Sequence, residues 1–309
     1  MSWILMVWFL CAGSAWATKI QVRVLPKKIY PGQAVWVRIV SATRLDRVKG
    51  SFLGQKLLFT SNEKGRRWSA LAAVGLTVSP RSHSLTYRAD FPDGKKTEGV
   101  FHITVLPKIF PLERITVRKK YVDLSRKDLA RVHGEKKGLA ALYKIRSRKA
   151  FWLRGFTAPV EAARGSSFGL RRIFNGEPRS PHSGADLLAG AGTPVKAPDA
   201  GRVVMADNLF FSGNTVILDH GGGLYTLYAH LEDFAVRKGQ IVRQGSVLGH
   251  VGATGRVTGP HLHWGARLNG VRIDPFSLVT LPLRFPEVNG EPEERERAIQ
   301  PGAAGSPTP

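Results

Sequence analysis

Three histidine-containing stretches constrain the fold of this chain more than any other feature. Residues 182–186 read His-Ser-Gly-Ala-Asp, residues 228–231 read Tyr-Ala-His-Leu, and residues 261–263 read His-Leu-His. A hydrolytic zinc site needs three protein ligands, usually histidine nitrogens and a carboxylate oxygen, and keeps a fourth position for water. If these stretches form such a site, the fold must bring residues that are far apart in the chain into one cavity.

The three stretches contain enough donors for one metal ion. His182, Asp186 and His263 meet the required number of ligands. His261 and His263 lie two residues apart on a predicted strand, so both side chains leave the same face. Only one of the two needs to reach the metal, and the other would then face the bound water. His230, at the end of an apolar strand, offers a further imidazole to remove a proton, so the chemistry requires no serine or cysteine nucleophile.

Each motif alone is a weak signal, but their joint occurrence in this order within one Gly-rich region is a strong one. The flanking text is also distinctive, with Ser-Phe-Gly-Leu-Arg at residues 167–171, Gly-Thr-Pro-Val-Lys-Ala-Pro at 192–198, His-Gly-Gly-Gly at 220–223 and Gly-His-Val-Gly-Ala-Thr-Gly at 249–255. Residues 156–282 closely resemble the lysostaphin-type or LytM-type zinc metallopeptidases. Members of that family cut peptide cross-links of the bacterial cell wall.

The resemblance implies a role for each motif residue. It implies Zn²⁺ ligands His182, Asp186 and His263, and catalytic histidines His230 and His261. It also implies a compact antiparallel β-sheet crossed by a groove, a duplicated hybrid motif-like domain. Some relatives lose these residues and survive as amidase activators. All five are present here, which favours an active enzyme.

The N-terminal residues 18–106 follow the pattern of short β-strands. Val35, Val37 and Ile39 alternate with other residues at the period of two that half-buried strands show. Turn signals separate several such runs, which predicts a small immunoglobulin-like β-sandwich. His83 and His102 are isolated there, and we interpret them as surface or structural residues.

Residues 107–155 are predicted to form a basic, partly helical linker. From residue 108 to residue 154 there are 15 Lys and Arg against four Asp and Glu. Ser125 begins a segment with apolar residues at helical intervals. Gly134 and Gly138 interrupt this segment, so one long helix and two short helices both fit. The charged face is either simply solvated or contacts an anionic polymer.

The two ends of the chain have different characters. Residues 1–17 form an apolar run that ends in small residues, which is typical of an export signal, and a retained membrane anchor is the alternative. Cleavage after Ala17 would remove Cys11, the only cysteine, so the exported protein would contain no disulfide. Residues 283–309 are poor in large apolar side chains and are predicted to be a disordered tail.

The net charge of +23, from 46 Lys and Arg against 23 Asp and Glu, favours polyanionic partners. No known nucleic-acid recognition pattern is present. The sequence therefore predicts an exported, periplasmic or envelope-associated, monomeric zinc endopeptidase that binds peptidoglycan, with anionic envelope polymers as further partners of its basic surface and no small-molecule cofactor. We favour the D-alanine to diaminopimelate cross-link as its substrate, with glycyl bridges left open. The alternative is a non-hydrolytic LytM-type module that binds peptidoglycan and activates an amidase.

Overall fold

The computed structural model of the chain describes residues 20–61, 64–121, 123–147, 150–152 and 155–283. The predicted export signal, residues 1–17, lies outside these residues, as does the predicted tail apart from Leu283. The described fold is mainly β, as the sequence predicts. None of the described helices has both the length and the apolar character needed to cross a bilayer.

Eight strands form two four-stranded sheets in the N-terminal region. They are β1 (Gln21–Leu25), β2 (Ala34–Val40), β3 (Arg47–Phe52), β4 (Gln55–Leu57), β5 (Thr60–Ser61), β6 (Arg67–Ala73), β7 (Ser82–Asp90) and β8 (Lys96–Thr104). The strand orders are β1-β2-β6-β5 and β4-β3-β7-β8. One buried cluster takes apolar side chains from both sheets, including Val37 and Leu85, so the sheets share a core. An immunoglobulin-like topology for this region stays a prediction.

Strand β2 is buried on both faces. Val35 and Val37 lie in the core between the two sheets, on the face that the alternating pattern predicts. Trp36, on the opposite face, is also buried because it belongs to a second cluster with Leu224 and Leu268 of the C-terminal region. Burial of these apolar surfaces favours association of the two regions, so the N-terminal strands support the C-terminal sheet directly.

The connecting segment, residues 107–155, contains one short strand and one long helix. These are β9 (Leu112–Ile115) and α1 (Arg126–Leu142), with a single 3₁₀ turn at Lys119–Tyr121 between them. The side chain of Ser125 accepts a hydrogen bond from Asp128 N at 3.1 Å and caps α1, as its position predicts. Of the two possibilities that Gly134 and Gly138 leave open, the structure has the single continuous helix.

The C-terminal region is built on one large antiparallel sheet. Its elements are β10 (Ala163–Arg164), β11 (Arg171–Phe174), β12 (Glu177–Arg179), β13 (Gly184–Leu188), β14 (Pro194–Lys196), β15 (Gly201–Leu209), β16 (Gly213–Gly221), β17 (Leu224–Leu231), β18 (Ile241–Val242), β19 (Val247–His250), β20 (Leu262–Leu268), β21 (Val271–Ile273) and α2 (Phe276–Val279). The sheet has the order β10-β13-β20-β17-β16-β15-β18, with β21 paired to β20. The neighbouring strands β13, β20 and β17 contain or adjoin the three histidine-containing stretches.

The short helix α2, within residues 156–282, is not indicated by the sequence pattern. It has only four residues, too few for a helical period to be visible in the sequence. Its start is fixed locally, because the Asp274 carboxylate accepts a hydrogen bond from Phe276 N at 3.0 Å. Phe276 then packs edge-on against Trp264 of β20, so the helix closes one end of the sheet's core.

The connecting segment does more than join two regions, because it packs on the C-terminal sheet. Strand β9 pairs in parallel with β11. The Glu135 carboxylate of α1 accepts hydrogen bonds from Phe210 N at 3.0 Å, and the Arg131 guanidinium donates to Asn208 O at 2.9 Å. The ring of Tyr143 meets that of Tyr225 edge-on. These contacts fix α1 beside the sheet that carries the candidate ligands.

His220 is a structural residue of the core. It is fully buried, and its Nδ1 donates to Ala200 O at 2.7 Å while its Nε2 accepts from Thr226 Oγ1 at 2.7 Å. Burial is the main cause that lowers the pKa of His220 to about 4, from an ordinary value of 6.5. The folded protein therefore holds this imidazole neutral at physiological pH.

The lowered pKa of His220 predicts a loss of stability in acid. The unfolded chain protonates this residue near pH 6.5 and the folded chain only near pH 4, so its full contribution is present above pH 6.5 and is lost as the pH falls through this window. At about 1.4 kcal/mol per pKa unit, the free energy of unfolding should fall by about 3 kcal/mol between pH 8 and pH 4 on account of this group. In His220→Gln, chemical unfolding should show a pH dependence that is weaker by this amount. The exposed His102→Gln should behave like the wild type, and an unchanged pH dependence in His220→Gln would contradict the assignment.

Candidate active site

Pairing of β13 with β20 brings the two distant motifs together. In this register Asp186 lies directly opposite His263, and His182 lies two residues before the start of β13. His263 Nδ1 lies 2.8 Å from Asp186 Oδ1 and 3.0 Å from His182 Nε2, and the latter lies 3.1 Å from Asp186 Oδ1. Among the described residues these three form the one His, Cys, Asp and Glu group compact enough to hold a metal ion, with all ligand atoms within 4.8 Å.

The three candidate ligands are oriented by further hydrogen bonds. His182 Nδ1 lies 3.1 Å from Ser167 O, and because a carbonyl oxygen only accepts, this nitrogen carries the proton and Nε2 presents its lone pair to the site. Asp186 directs Oδ1 to the histidines, while Oδ2 accepts from Arg172 Nη2 at 3.2 Å. Arg172 in turn pairs with Glu113 at 3.0 Å. Ser166 Oγ donates to the same Glu113 carboxylate.

Electrostatics keep the candidate ligands in the forms that bind a metal. Burial would raise the pKa of the Asp186 carboxyl group, but its close contacts with the His182 and His263 imidazoles outweigh burial and lower the pKa well below its ordinary range. Burial lowers the pKa of His263, with the hydrogen bond to Asp186 opposing it. The carboxylate is therefore ionised and His263 favours its neutral form.

The donor set fits a zinc ion. Two imidazole nitrogens and one carboxylate oxygen are ligands that Zn²⁺ prefers, and a tetrahedral site at ~2.1 Å separates its ligand atoms by ~3.4 Å. The observed separations of 2.8 to 3.1 Å approach that spacing. Three such lone pairs this close repel one another unless a proton or a cation lies between them. The chemistry of the residues thus suits a divalent cation.

Gly184 makes room for His263. Gly184 and Gly265 are directly paired across β13 and β20. A Cβ atom on Gly184 would lie 2.4 Å from Trp264 O and 2.9 Å from the His263 ring. Glycine at position 184 is therefore required by the close approach of the imidazole and the neighbouring strand.

The Gly184→Ala variant should lose both stability and metal affinity. The added methyl group must displace the β20 backbone or the His263 ring, at a cost of about 1–3 kcal/mol in the free energy of unfolding. Thermal unfolding and zinc titration would measure the two effects. Gly190→Ala is the matched control, since its Cβ would have no neighbour within 4 Å. Equal behaviour of the two variants would show that Gly184 does not shape the site.

His230 reaches the site through an unusual backbone conformation. Its φ of +65° lies in the left-handed region, which a residue other than glycine adopts only under constraint. His230 N donates to Ser212 O at 2.9 Å, and Gly252 N donates to His230 O at 3.0 Å, so both backbone groups are held. The imidazole Nδ1 donates to Thr254 O at 2.8 Å, which leaves Nε2 unprotonated. Burial and the nearby histidines lower the pKa of His230 to about 3, so the ring stays neutral.

His261 lies beside the candidate metal ligands and outside their group. Its Nε2 is 3.9 Å from Asp186 Oδ1, and its Nδ1 donates to Gly259 O at 2.9 Å. The ring centres of His230 and His261 are 4.9 Å apart. All five residues predicted from the sequence therefore meet in one place, with His263 in the compact group and His261 adjacent to it.

Other histidines of this region lie elsewhere. His250 is partly exposed and contacts the Asp233 carboxylate at 2.9 Å. The residues that sequence reasoning missed are Arg172, Glu113 and Ser166. Arg172 directly follows the Ser-Phe-Gly-Leu-Arg motif at residues 167–171, and this position is the only signal that could have suggested it. No sequence signal indicated Glu113, because it reaches the site through the pairing of β9 with β11.

An open groove with a volume of about 630 Å³ runs past these side chains. Two acidic residues line it, Glu113 and Asp186, against five cationic residues, which are Lys136, Arg172, Arg179, Arg256 and Arg272. An adjoining cavity of about 210 Å³ shares His263 with the groove and is lined by residues of α1. The groove is therefore basic, and α1 forms part of its wall.

Comparisons with known proteins agree with this geometry. Peptidase family M23 matches residues 180–275. Over 101 residues the chain is 48% identical to the DD-carboxypeptidase/endopeptidase Mpg of Neisseria meningitidis. The matched residues make up 33% of this chain and 23% of that protein. It is 43% identical over 106 residues to the peptidoglycan DD-endopeptidase ShyA of Vibrio cholerae, covering 34% of this chain and 25% of that protein. The matched residues thus span about a quarter of these relatives.

A solved structure extends the similarity to most of the chain. A Pseudomonas aeruginosa protein assigned to peptidase M23 is 32% identical, with a TM-score of 0.62 over 82% of this chain and 95% of that chain. A groove in a β-sheet that presents a His, Asp and His donor set, with two further histidines beside it, is typical of a metallopeptidase. Within that class, the chain belongs to peptidase family M23, the LytM and lysostaphin family.

Proposed function

We propose that this protein is a zinc-dependent endopeptidase that hydrolyses peptide stems or cross-links of bacterial peptidoglycan. The observation that carries the proposal is the convergence of His182, Asp186 and His263 at one groove, with His230 and His261 beside them. The names of the relatives support it, since ShyA and Mpg are both described as endopeptidases, ShyA of peptidoglycan.

Zn²⁺ would be held by His182, Asp186 and His263. When bound, zinc acts as a Lewis acid and lowers the pKa of coordinated water to ~7. Asp186 contributes the one negative charge of the set, and Arg172 holds its second oxygen so that Oδ1 keeps its direction. The Ser167 carbonyl oxygen orients His182 in a similar way, because it accepts a hydrogen bond from Nδ1 of that imidazole.

His230 and His261 would manage the protons of the reaction. Both donate their Nδ1 hydrogens to backbone carbonyl oxygens, so each presents an unprotonated Nε2. Such a nitrogen can accept a proton from the attacking water and, once protonated, donate a hydrogen bond to the oxygen of the scissile carbonyl group. The low pKa of His230 keeps its ring neutral before the reaction begins.

The basic groove suits an acidic peptide. Peptidoglycan stems carry free carboxylates, and the five cationic side chains around the groove favour such a ligand electrostatically. The D-alanine to diaminopimelate cross-link remains our preferred bond, which the DD-endopeptidase names of the relatives support. We place the activity in the periplasm or cell envelope, where this substrate lies and to which the apolar residues 1–17 would direct the chain.

The second candidate function is a module that binds the wall and activates an amidase without cutting. The complete set of five site residues favours hydrolysis over this alternative. To test the proposal, purified peptidoglycan is incubated with the zinc-loaded protein, and the released muropeptides are identified by mass spectrometry. We expect cross-linked dimers to be converted to monomers, and the activity to be lost after treatment with a zinc chelator and restored by zinc. Stoichiometric zinc without any released fragment would favour the binding module.

A further inference from the structure

Arg256 differs from Arg172 and Arg179 of the groove in having no ion pair among the described residues. Arg172 pairs with Glu113 and Asp186, and Arg179 pairs with Glu177. The structure assigns no hydrogen bond or ion pair to the Arg256 guanidinium within the described residues. Burial, followed by repulsion from Arg172 and Arg179, lowers the pKa of Arg256 to about 10. A partly buried cation without an anion is a costly feature, which an anionic ligand would relieve.

Two aromatic rings hold this guanidinium in place. Its Cζ lies 4.4 Å from the ring centre of Phe211 and 4.8 Å from that of Phe174. Cation–π contacts of this kind stabilise a guanidinium and leave its N–H groups at the edge free to bind a ligand. The ring centre of Phe174 is also 5.9 Å from Cζ of Arg172, so this one ring lies beside both guanidinium groups.

The backbone around Arg256 ties it to the catalytic histidines. Arg256 N donates to Phe211 O at 2.8 Å. Thr254, two residues earlier, accepts from His230 through its carbonyl oxygen, and its hydroxyl group donates to Leu231 O at 2.8 Å. The same loop continues to His261. The position of the guanidinium is therefore fixed relative to the site where the peptide bond would be cut.

We infer that Arg256 binds a carboxylate of the substrate peptide outside the scissile bond and so selects for acidic stems over amidated ones. This inference rests on the proposed function, because it takes the groove to be the place where the peptide lies. Guanidinium and carboxylate form paired, charge-assisted hydrogen bonds that a carboxamide cannot replace. The exposed Lys136 and Arg272 remain hydrated and would contribute less to this discrimination.

The test uses ligands that need no hydrolysis. The tripeptide L-alanyl-γ-D-glutamyl-meso-diaminopimelate carries free carboxylates on its second and third residues. Two analogues each have one carboxamide in place of a carboxylate, one analogue on the second residue and the other on the third. Isothermal titration calorimetry with the zinc-loaded protein would measure their affinities. We expect one amidation to weaken binding by about 10- to 100-fold. In Arg256→Met, which keeps apolar packing between the rings, that ratio should fall to about one, and Arg256→Lys should restore part of it.

The controls separate recognition from folding. Arg237→Met removes an exposed arginine outside the groove lining and should leave the ratio unchanged. A merely structural role for Arg256 would weaken all three ligands equally, and that result would overturn the inference. Discrimination in the binding assay without release of muropeptides would retain the inference and reject the proposed hydrolysis. Release of muropeptides without discrimination between the ligands would retain the proposed hydrolysis and reject the role of Arg256.

Discussion

Replacing His182 or Asp186 by alanine should abolish both zinc binding and hydrolysis of peptidoglycan. Each change leaves two protein ligands where zinc requires three, and Asp186→Ala also leaves Arg172 without one of its two acidic partners. The metal supplies several kcal/mol of transition-state stabilisation, so kcat/KM should fall by at least ~10³-fold. Zinc content by atomic absorption and muropeptide release would be measured on the same preparations.

The control for these two variants is His250→Ala. His250 is a partly exposed histidine of the same region whose side chain hydrogen-bonds the Asp233 carboxylate. It should retain zinc and full activity, which would show that loss of an imidazole in general does not inactivate the protein. Full hydrolytic activity in His182→Ala or Asp186→Ala would refute the proposal that zinc bound by these residues is needed for hydrolysis.

His261→Ala should give the second large effect, and of a different kind. His261 lies outside the compact ligand group, so the variant should still bind one zinc ion with about the affinity of the wild type. Its Nε2 is next to the ligands, at 3.9 Å from Asp186 Oδ1, where it can transfer protons. Loss of a general acid or base lowers kcat by about 10²- to 10⁴-fold.

The separation of zinc affinity from turnover distinguishes His261 from His263. Steady-state hydrolysis of a cross-linked muropeptide dimer and zinc titration would be compared for alanine variants of both residues. We expect His263→Ala to lose the metal and His261→Ala to keep it. Loss of zinc in His261→Ala together with its retention in His263→Ala would reverse the two assignments.

Local patterns were sufficient to predict strands such as β2. The alternation of Val35 and Val37 is a property of neighbouring residues, and it predicts the buried face of β2. The burial of Trp36 could not be predicted in this way, because it depends on apolar side chains of the C-terminal region. The packing of α1 on the sheet is also a tertiary property, since Glu135 meets the backbone of Phe210 far along the chain.

The candidate site shows the same division. His182, Asp186 and His263 were predictable because zinc chemistry restricts the residue types and the motifs have distinctive spacing. The residues alone left open which of His261 and His263 reaches the metal, and the family resemblance implied His263. Pairing of β13 with β20 places His263 opposite Asp186 and in the compact group. Arg172 and Arg256 were not identified, because an arginine in a basic chain gives no signal until its neighbours are known.

Anomalous X-ray scattering at the zinc absorption edge, on crystals of the zinc-loaded protein, would show which residues bind the metal. We predict one strong peak per chain, within bonding distance of His182 Nε2, Asp186 Oδ1 and His263 Nδ1. A peak bound by other residues, or no peak at saturating zinc, would contradict the account.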